Sequence, residues 1–180
     1  MNAIGRRALL LLPLLLAGCF HRPRAPFAEL PLRLSPASLG RDLALQQRMT
    51  VTAHGKVQQF DVVLEADPQA VRLAVLAFGQ TLARLDWDGR ELKETRVRGW
   101  PPTITGALVL RDLQLVHWPL DAIQPALPLG WTAQGGAEER QVRFSGRTMI
   151  RVRYPAPGIA ELDNLAAGYR LRLEPWRTLP

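Results

Sequence analysis

The residue best suited to chemistry is Cys19, the only cysteine in this 180-residue chain. A single cysteine excludes an internal disulfide framework and any metal site built from several cysteines. It leaves chemistry on the thiol itself, such as the attachment of a lipid. The sequence around Cys19 therefore carries the first functional signal.

Other residue types that catalyse reactions are scarce, because the chain has three serines and three histidines. The sequence contains no G-x-S-x-G motif and no C-x-x-C pair. His21 falls in a predicted linker, His54 in a predicted turn, and His117 at the end of a predicted helix, where a positive charge is favourable. We therefore expect no enzyme, no metal and no cofactor, with a thioesterase-like enzyme as a distant alternative.

An export signal precedes Cys19. Arg6 and Arg7 give a positive start, and an apolar run follows over residues 8–17. That run is too short for a bilayer span, which needs about 20 helical residues, so it indicates a signal peptide. Leu16-Ala17-Gly18-Cys19 resembles the lipobox of bacterial lipoproteins, which implies cleavage after Gly18 and a lipid on Cys19. The alternative is an ordinary secretory signal with a chance cysteine.

The segment after the cysteine predicts a tether. Phe20 follows Cys19, and this resembles lipoproteins that are sorted to the outer membrane. Residues 19–39 hold four prolines and three arginines, a composition typical of an extended linker. The predicted organisation is a signal peptide over 1–18, a lipidated tether over 19–39 and a folded domain over 40–180. We expect the domain to face the periplasm from the outer membrane, anchored through Cys19.

Hydrophobic periodicity predicts a mainly β (α+β) fold. Alternating apolar residues predict strands over 43–52, 59–65, 71–78, 82–87 and 91–97. A broad apolar stripe then predicts a helix over 105–117, and a second short helix is possible over 121–127. Strands return over 131–133, 141–144, 149–154 and 169–173. Short connections require antiparallel neighbours, so we expect a single curved sheet covered by one or two helices.

This order of elements resembles the periplasmic lipoprotein-carrier superfamily that includes LolA and LolB. The segment Phe78-Gly79-Gln80-Thr81-Leu82-Ala83-Arg84-Leu85 is similar to a strand pair of the LolB branch. Asp112-Leu113-Gln114-Leu115-Val116-His117-Trp118-Pro119, followed by Asn164 and Gly168-Tyr169-Arg170-Leu171, resembles a family of uncharacterised bacterial outer-membrane lipoproteins. These resemblances imply an unclosed LolA/LolB-like half-barrel and a lipid-like or polyene-acyl cargo.

An apolar hollow inside that half-barrel is the predicted site. The expected lipid-binding residues alternate along strands or lie on the covering helix, with two tryptophans at the margin: Phe60, Val62, Leu64, Leu73, Val75, Leu85, Trp87, Leu113, Leu115, Trp118, Tyr169 and Leu171. Each one is also compatible with ordinary core packing. Many inward apolar residues beneath one main helix favour a cavity.

Two surface features have competing interpretations. Phe78 lies at a predicted hairpin tip, where we expect membrane contact unless the turn folds back and buries the ring. Arg151, Arg153, Arg170 and Arg172 alternate with apolar residues. That alternation indicates a solvated outer sheet face rather than a nucleic-acid surface.

Two functions stay open at this point. The first is a carrier or acceptor that binds a lipid, an acyl chain or lipidated cargo and exchanges it with a periplasmic carrier protein. The second is a non-enzymatic accessory lipoprotein of an envelope assembly or a polyene-lipid biosynthesis system, with a fully packed core. An apolar fluorescent probe distinguishes them.

The anchoring hypothesis makes the first testable prediction. In the native host, Cys19 is expected to carry acyl chains and to be the first residue after processing. Each buried acyl CH₂ contributes about 0.8 kcal/mol, so two or three chains hold the protein firmly. Cys19→Ala is expected to leave the domain folded and to release it from membranes. Intact-mass analysis checks this, and an unmodified Cys19 would contradict it.

Overall fold

One antiparallel sheet organises the protein, whose computed structural model describes residues 29–176. The described strands are β1 (Leu43–Ala53), β2 (Lys56–Ala66), β3 (Val71–Ala77), β4 (Gln80–Trp87), β5 (Leu92–Arg96), β6 (Trp131–Gly135), β7 (Glu139–Phe144), β8 (Arg147–Ala156), β9 (Ile159–Asn164) and β10 (Tyr169–Pro175). The order is β5-β4-β3-β2-β1-β10-β9-β8-β7-β6. The first and last strands pair in the middle, which leaves β5 and β6 as edges of an unclosed sheet. The predicted mainly β class and single antiparallel sheet are confirmed.

Strand β9 is absent from the sequence predictions. Pro155, Pro157 and Gly158 precede it, and its outward residues Glu161 and Asp163 give it a polar composition. It becomes a strand because β8 and β10 pair with it on both sides. The inward Ala160 and Leu162 are buried. The alternation of buried and outward residues that marks a strand is therefore present in β9, but it covers few residues.

The outward face of β8, β9 and β10 carries crossed ion pairs. Arg153 contacts both Glu161 (3.1 Å) and Asp163 (3.0 Å) on the neighbouring strand. Arg172 also pairs with Glu161, and Arg170 with Asp163. This confirms the outer-face placement of these arginines and shows that strand carboxylates neutralise them. Each exposed pair contributes little stability by itself.

Two helices connect the sheet edges β5 and β6. Helix α1 (Gly106–His117) agrees with the prediction, and the short α2 (Leu120–Ile123) continues into a 3₁₀ turn at Gln124–Ala126. The Thr105 side chain caps α1 by accepting a hydrogen bond from the backbone N–H of Leu108 at 3.2 Å. A Cβ on Gly106 would lie 2.5 Å from the end of the Leu85 side chain, so a larger residue where α1 meets the sheet would require that side chain to move.

The carboxyl end of α1 is fixed by side chains from the sheet. Arg140 Nη1 donates to the carbonyls of Leu115 (2.9 Å) and Trp118 (2.7 Å). The Tyr154 hydroxyl donates to the carbonyl of Val116 at 2.7 Å, and the Arg140 guanidinium lies 5.2 Å from the Tyr154 ring centroid. Carbonyls that the last helical turn leaves unpaired are thereby satisfied.

The folded domain begins earlier than predicted. Residues 19–28 of the expected tether lie outside the described residues, but residues 30–39 pack against the sheet. Leu30, Leu32, Leu34 and Leu39 are all at most 4% exposed and belong to the main hydrophobic cluster. The boundary at residue 40 is therefore wrong by about ten residues. Prolines suggested a linker here, but leucines at alternate positions bury this segment.

The capping of α1 makes the second testable prediction. Arg140→Met keeps the aliphatic stem and removes the donor to two helix carbonyls. Charged hydrogen bonds of this kind contribute about 2 kcal/mol, so thermal unfolding is expected to shift down by roughly 4–8 °C. Calorimetry measures the change, with the hairpin-tip variant Arg147→Met as a control that stays near wild type. Equal melting temperatures for both variants would contradict the capping role.

Candidate functional site

The candidate site is the groove between the inner face of the sheet and helix α1. Nine of the twelve predicted lipid-binding residues are less than a tenth exposed there: Val62, Leu64, Leu73, Val75, Leu85, Trp87, Leu113, Leu115 and Trp118. Phe60, Tyr169 and Leu171 are half-buried and pack against the same cluster. The structure therefore brings all twelve into one cluster, nine on the inner face of the sheet and three on or just after the covering helix.

An extended segment of the chain lies in this groove, and we call residues 29–35 the strap. Its alternation is strict, with Leu30, Leu32 and Leu34 buried and the residues between them exposed. Such a period of two presents one apolar edge to the groove and one polar edge to solvent. The strap thus occupies space that the sequence analysis assigned to an open hollow.

Gln114 on α1 binds the strap backbone in both directions. Its Nε2 donates to the carbonyl of Leu34 at 2.8 Å, and its Oε1 accepts from the backbone N–H of Leu34 at 2.9 Å. The Gln114 side chain is fully buried, so each atom needs its partner. One amide side chain therefore pairs with the strap as a neighbouring strand would.

Two buried tryptophans bind the same part of the chain. Trp87 Nε1 donates to the carbonyl of Leu34 at 2.8 Å. Trp118 Nε1 lies 3.1 Å from Ser38 Oγ and 3.3 Å from the carbonyl of Ser35. These indole N–H groups point into the protein, toward residues 34–38, whereas the sequence analysis placed the two tryptophans at the margin of a cavity.

A buried polar cluster fixes α1 to β10. Asp112 Oδ1 accepts from Arg111 at 2.7 Å, and Asp112 Oδ2 accepts from the Tyr169 hydroxyl at 2.6 Å. The same hydroxyl accepts from Arg111 (2.7 Å) and from Asn164 Nδ2 (3.1 Å). The backbone N–H of Ala167 donates to Asn164 Oδ1 at 2.8 Å, which orients the amide.

Burial dominates the ionisation of this cluster. It raises the pKa of the Asp112 carboxyl, and the Arg111 guanidinium and the Tyr169 hydroxyl oppose that rise. Burial and the adjacent Asp112 carboxylate both raise the pKa of Tyr169, so its hydroxyl stays protonated and remains a donor. The cluster is thus a closed set of donors and acceptors that positions α1.

His117 does not provide the positive helix end that the sequence analysis predicts. Burial lowers the pKa of His117 from 6.5 to about 4, and the charges of Arg41 and Arg140 act in the same direction. His117 is therefore neutral at neutral pH. The positive charge at this helix end comes from Arg140. Arg140 lies 25 residues after Leu115, so the sequence did not predict this contact.

Two clefts accompany the groove. One, of about 250 Å³, lies between the strap and the start of α1 and is lined by Glu29, Arg33, Leu108 and Arg111 among others. The other, of about 410 Å³, lies on the outer face of β2–β5, among Glu65, Arg72, Asp86 and Lys93. Neither is the apolar hollow that was expected at the centre of the inner face.

The remaining predicted residues lie away from the groove. Phe78 is fully exposed at the tip between β3 and β4, so the alternative in which it joins the core is wrong. Cys19 lies outside the described residues. Within residues 29–176 we find no group of three or more His, Cys, Asp or Glu side chains placed to hold a metal ion. The helices described there are too short to cross a bilayer.

Sequence reasoning missed the polar residues that assemble this site. Asp112, Gln114, Asn164 and Tyr169 all fall in the two segments that carried the resemblance to outer-membrane lipoproteins. The first three were assigned no role, and Tyr169 was predicted only as an apolar lipid contact, not for its hydroxyl. A buried polar residue on an otherwise apolar helix was the available signal, since Asp112 and Gln114 flank Leu113. Leu34, the partner of Gln114, lies 80 residues away in sequence. Only the alternation of leucines around Leu34 indicated that this segment could be buried.

Comparison with known sequences gives one family. The model of the family described as "Protein of unknown function (DUF3261)" matches residues 44–177, most of the chain. No curated protein matches the chain. The match begins within β1 and so covers the sheet, α1 and the polar cluster, while the strap precedes it.

The pairing between Gln114 and the strap makes the third testable prediction. Gln114→Met keeps the side-chain length and removes both hydrogen bonds to Leu34. Hydrogen exchange at the Leu34 amide is expected to accelerate about tenfold, as for the loss of one buried hydrogen bond, and trypsin is expected to cut faster after Arg33. The exposed variant Gln58→Met is the control. Unchanged protection at Leu34 would contradict the role of Gln114.

Proposed function

Because the chain belongs to the DUF3261 family, whose function is unknown, we propose a function from the groove itself: it binds an acyl chain or a lipidated segment. The cargo takes the place of strap residues Leu30–Leu34. Binding uses no covalent catalysis, because removal of apolar carbon from water supplies the free energy at about 25 cal/mol per Å². The protein then serves as a carrier or acceptor for lipid-like cargo in the cell envelope.

The shape of the strap is the observation that supports this proposal. Leu30, Leu32 and Leu34 lie along roughly 13 Å of extended chain, at ~3.3 Å per residue. An acyl chain of medium length has a comparable length and a comparable number of apolar carbons. A groove that accepts a narrow, extended and apolar strip of leucines has the shape that an extended acyl chain requires.

The connectivity of the strap makes exchange feasible. It precedes β1 and contributes no ladder hydrogen bonds to the sheet, which is held by strand pairs from residue 43 onward. The hydrogen bonds that it makes with the helix and the sheet are those with Gln114, Trp87 and Trp118. Undocking it therefore removes one layer from the groove and leaves the sheet and α1 assembled.

The location follows from the N-terminal sequence. The signal peptide, the lipobox-like Leu16-Ala17-Gly18-Cys19 and the following Phe20 support anchoring at the outer membrane, facing the periplasm. The unclosed sheet with its few helices supports a LolA/LolB-like half-barrel. A periplasmic carrier that delivers or removes the cargo is then the expected protein partner.

A second candidate function is favoured by the packing of the inner face. Leu64, Leu115 and Trp118 are fully buried, so the groove is full while the strap is docked. A protein that keeps this state permanently would be an accessory lipoprotein, acting through its surface in an envelope assembly or a polyene-lipid biosynthesis system. The two candidates differ in whether loosening the strap exposes a site for acyl chains.

The fourth testable prediction concerns a fluorescent fatty acid as the probe. The chain over residues 20–180 keeps every described contact, and Leu30→Ser with Leu32→Ser weakens the strap without altering the groove. Apparent affinity depends on the fraction of molecules with an open groove, so the double variant is expected to bind the probe at least tenfold more tightly than wild type. Fluorescence titration measures this, and circular dichroism monitors folding.

The matched control changes the same segment on its exposed edge. Pro31→Ser with Arg33→Ser is expected to leave probe affinity within about twofold of wild type, because these side chains face solvent. If the folded Leu30→Ser, Leu32→Ser variant binds the probe no better than this control, the carrier proposal fails and the accessory role stands.

A further inference from the structure

The exposed apolar residues of this protein are concentrated on one margin of the sheet. The strand registers place six turns, in some cases with the first residues of the next strand, along the same end of the sheet. We call these segments the apolar rim: 54–57, 78–79, 97–98, 129–130, 145–147 and 165–168. Five of the six large hydrophobic residues that are exposed in the described chain lie on it: Val57, Phe78, Val97, Leu129 and Leu165. The sixth, Trp176, follows β10 at the opposite end.

Two of these side chains have no packing that explains them. Phe78 and Leu129 are both fully exposed. Phe78 also adopts φ +49°, a left-handed conformation that bulky residues rarely accept and that Asn or Gly would occupy more easily in a two-residue turn. Full exposure of an aromatic ring is unfavourable in water, and it is accounted for if the ring enters an apolar phase.

The charges of the apolar rim have a single sign. It carries Lys56, Arg98 and Arg147, together with His54, and the six turns contain no carboxylate. The turns at the opposite end (40–42, 67–70, 88–91, 136–138 and 157–158) form an acidic rim, with five carboxylates against two arginines. The acidic residues are Asp42, Asp67, Asp88, Glu91 and Glu138. The molecule is therefore polarised along its strands.

The N-terminal end of the strap lies on the side of the apolar rim. Leu34 is bound by Trp87, which is at the acidic-rim end of β4. Glu29, five residues earlier, shares a cleft with Arg111, whose guanidinium contacts Tyr169 next to the turn 165–168. The described chain therefore begins on the side of the apolar rim, at Glu29, which follows the proposed lipid anchor Cys19 by ten residues in sequence.

We propose that the apolar rim docks onto an anionic lipid bilayer. The apolar side chains enter the interface while Lys56, Arg98 and Arg147 contact lipid phosphates, and the acidic rim points away from the membrane. Docking goes beyond the cargo site, because it requires neither an open groove nor an acyl ligand. It extends the expected contact of Phe78 from one residue to a surface that spans both halves of the sheet.

Vesicle binding by the unlipidated chain over residues 20–180 tests this. Wild type is expected to float with vesicles of phosphatidylethanolamine and phosphatidylglycerol, and binding is expected to weaken when NaCl rises from roughly 0.05 M to roughly 0.5 M. Arg98→Gln with Arg147→Gln is expected to lower the partition coefficient about thirtyfold, or about fivefold for each cation. Phe78→Asn with Leu129→Ser is expected to lower it at least tenfold.

Matched variants separate docking from general effects. Arg41→Gln with Arg90→Gln removes the same charge from the acidic rim and is expected to leave binding at or above the wild-type level. Phe78→Leu with Leu129→Met keeps apolar side chains and is expected to retain most of the binding. All these side chains are exposed, so the melting temperatures are expected to stay near wild type.

The outcomes are decisive in both directions. Equal losses in the two arginine pairs, or no binding of wild type to the anionic vesicles, would overturn docking. Binding that is the same with and without phosphatidylglycerol would overturn the role of the cations. The fluorescent fatty acid is titrated with the same variants, so a failed cargo site leaves vesicle binding intact and failed docking leaves probe binding intact.

Discussion

An unclosed sheet has to cover its apolar inner face with something other than itself, and this constraint shapes the rest of the protein. Strands β5 and β6 are edges, so no strand pairing joins them. The chain between them supplies α1 and α2, which connect the two edges. One helix is narrower than ten strands, however, and the strap adds a second covering element beside it. The cover of the inner face, and with it the proposed function, therefore depends on how α1 and the strap are held.

Polar side chains hold both elements, although the surface they cover is apolar. Asp112 and Gln114 lie two residues apart on α1 and reach different partners, Tyr169 on the sheet and Leu34 on the strap. Hydrophobic contacts alone permit a helix to slide along its groove. The buried Asp112 carboxylate accepts three hydrogen bonds, and all three can form in only one position of the helix. A buried ion pair such as that of Arg111 and Asp112 contributes little net stability, so its contribution here is to fix the placement of α1.

The two ends of the molecule face different surroundings in the arrangement we propose. The acidic rim uses its carboxylates locally: Asp67 and Asp88 accept hydrogen bonds from backbone N–H groups two and three residues ahead, and those bonds lower the pKa of both carboxyls. The apolar rim has tight turns without carboxylates. A membrane at that end places the proposed anchor and the N-terminal end of the strap on one side. In this arrangement the strap moves, and the cargo is delivered, close to the membrane.

The sequence by itself determined the features that depend on neighbours along the chain. Alternation predicted most strands, a broad apolar stripe predicted α1, and the arginines of β8 and β10 marked the outer face. The lipobox-like segment before Cys19 is equally local, and the lipid it predicts lies outside the described structure. Only the tertiary structure decided that residues 30–39 belong to the domain, that β9 is a strand and that Gln114 pairs with Leu34. Each of these depends on partners that are distant in sequence. The residues near the proline-rich segment do not show that it will pack on the sheet, and the residues near Gln114 do not show which backbone its side chain will bind.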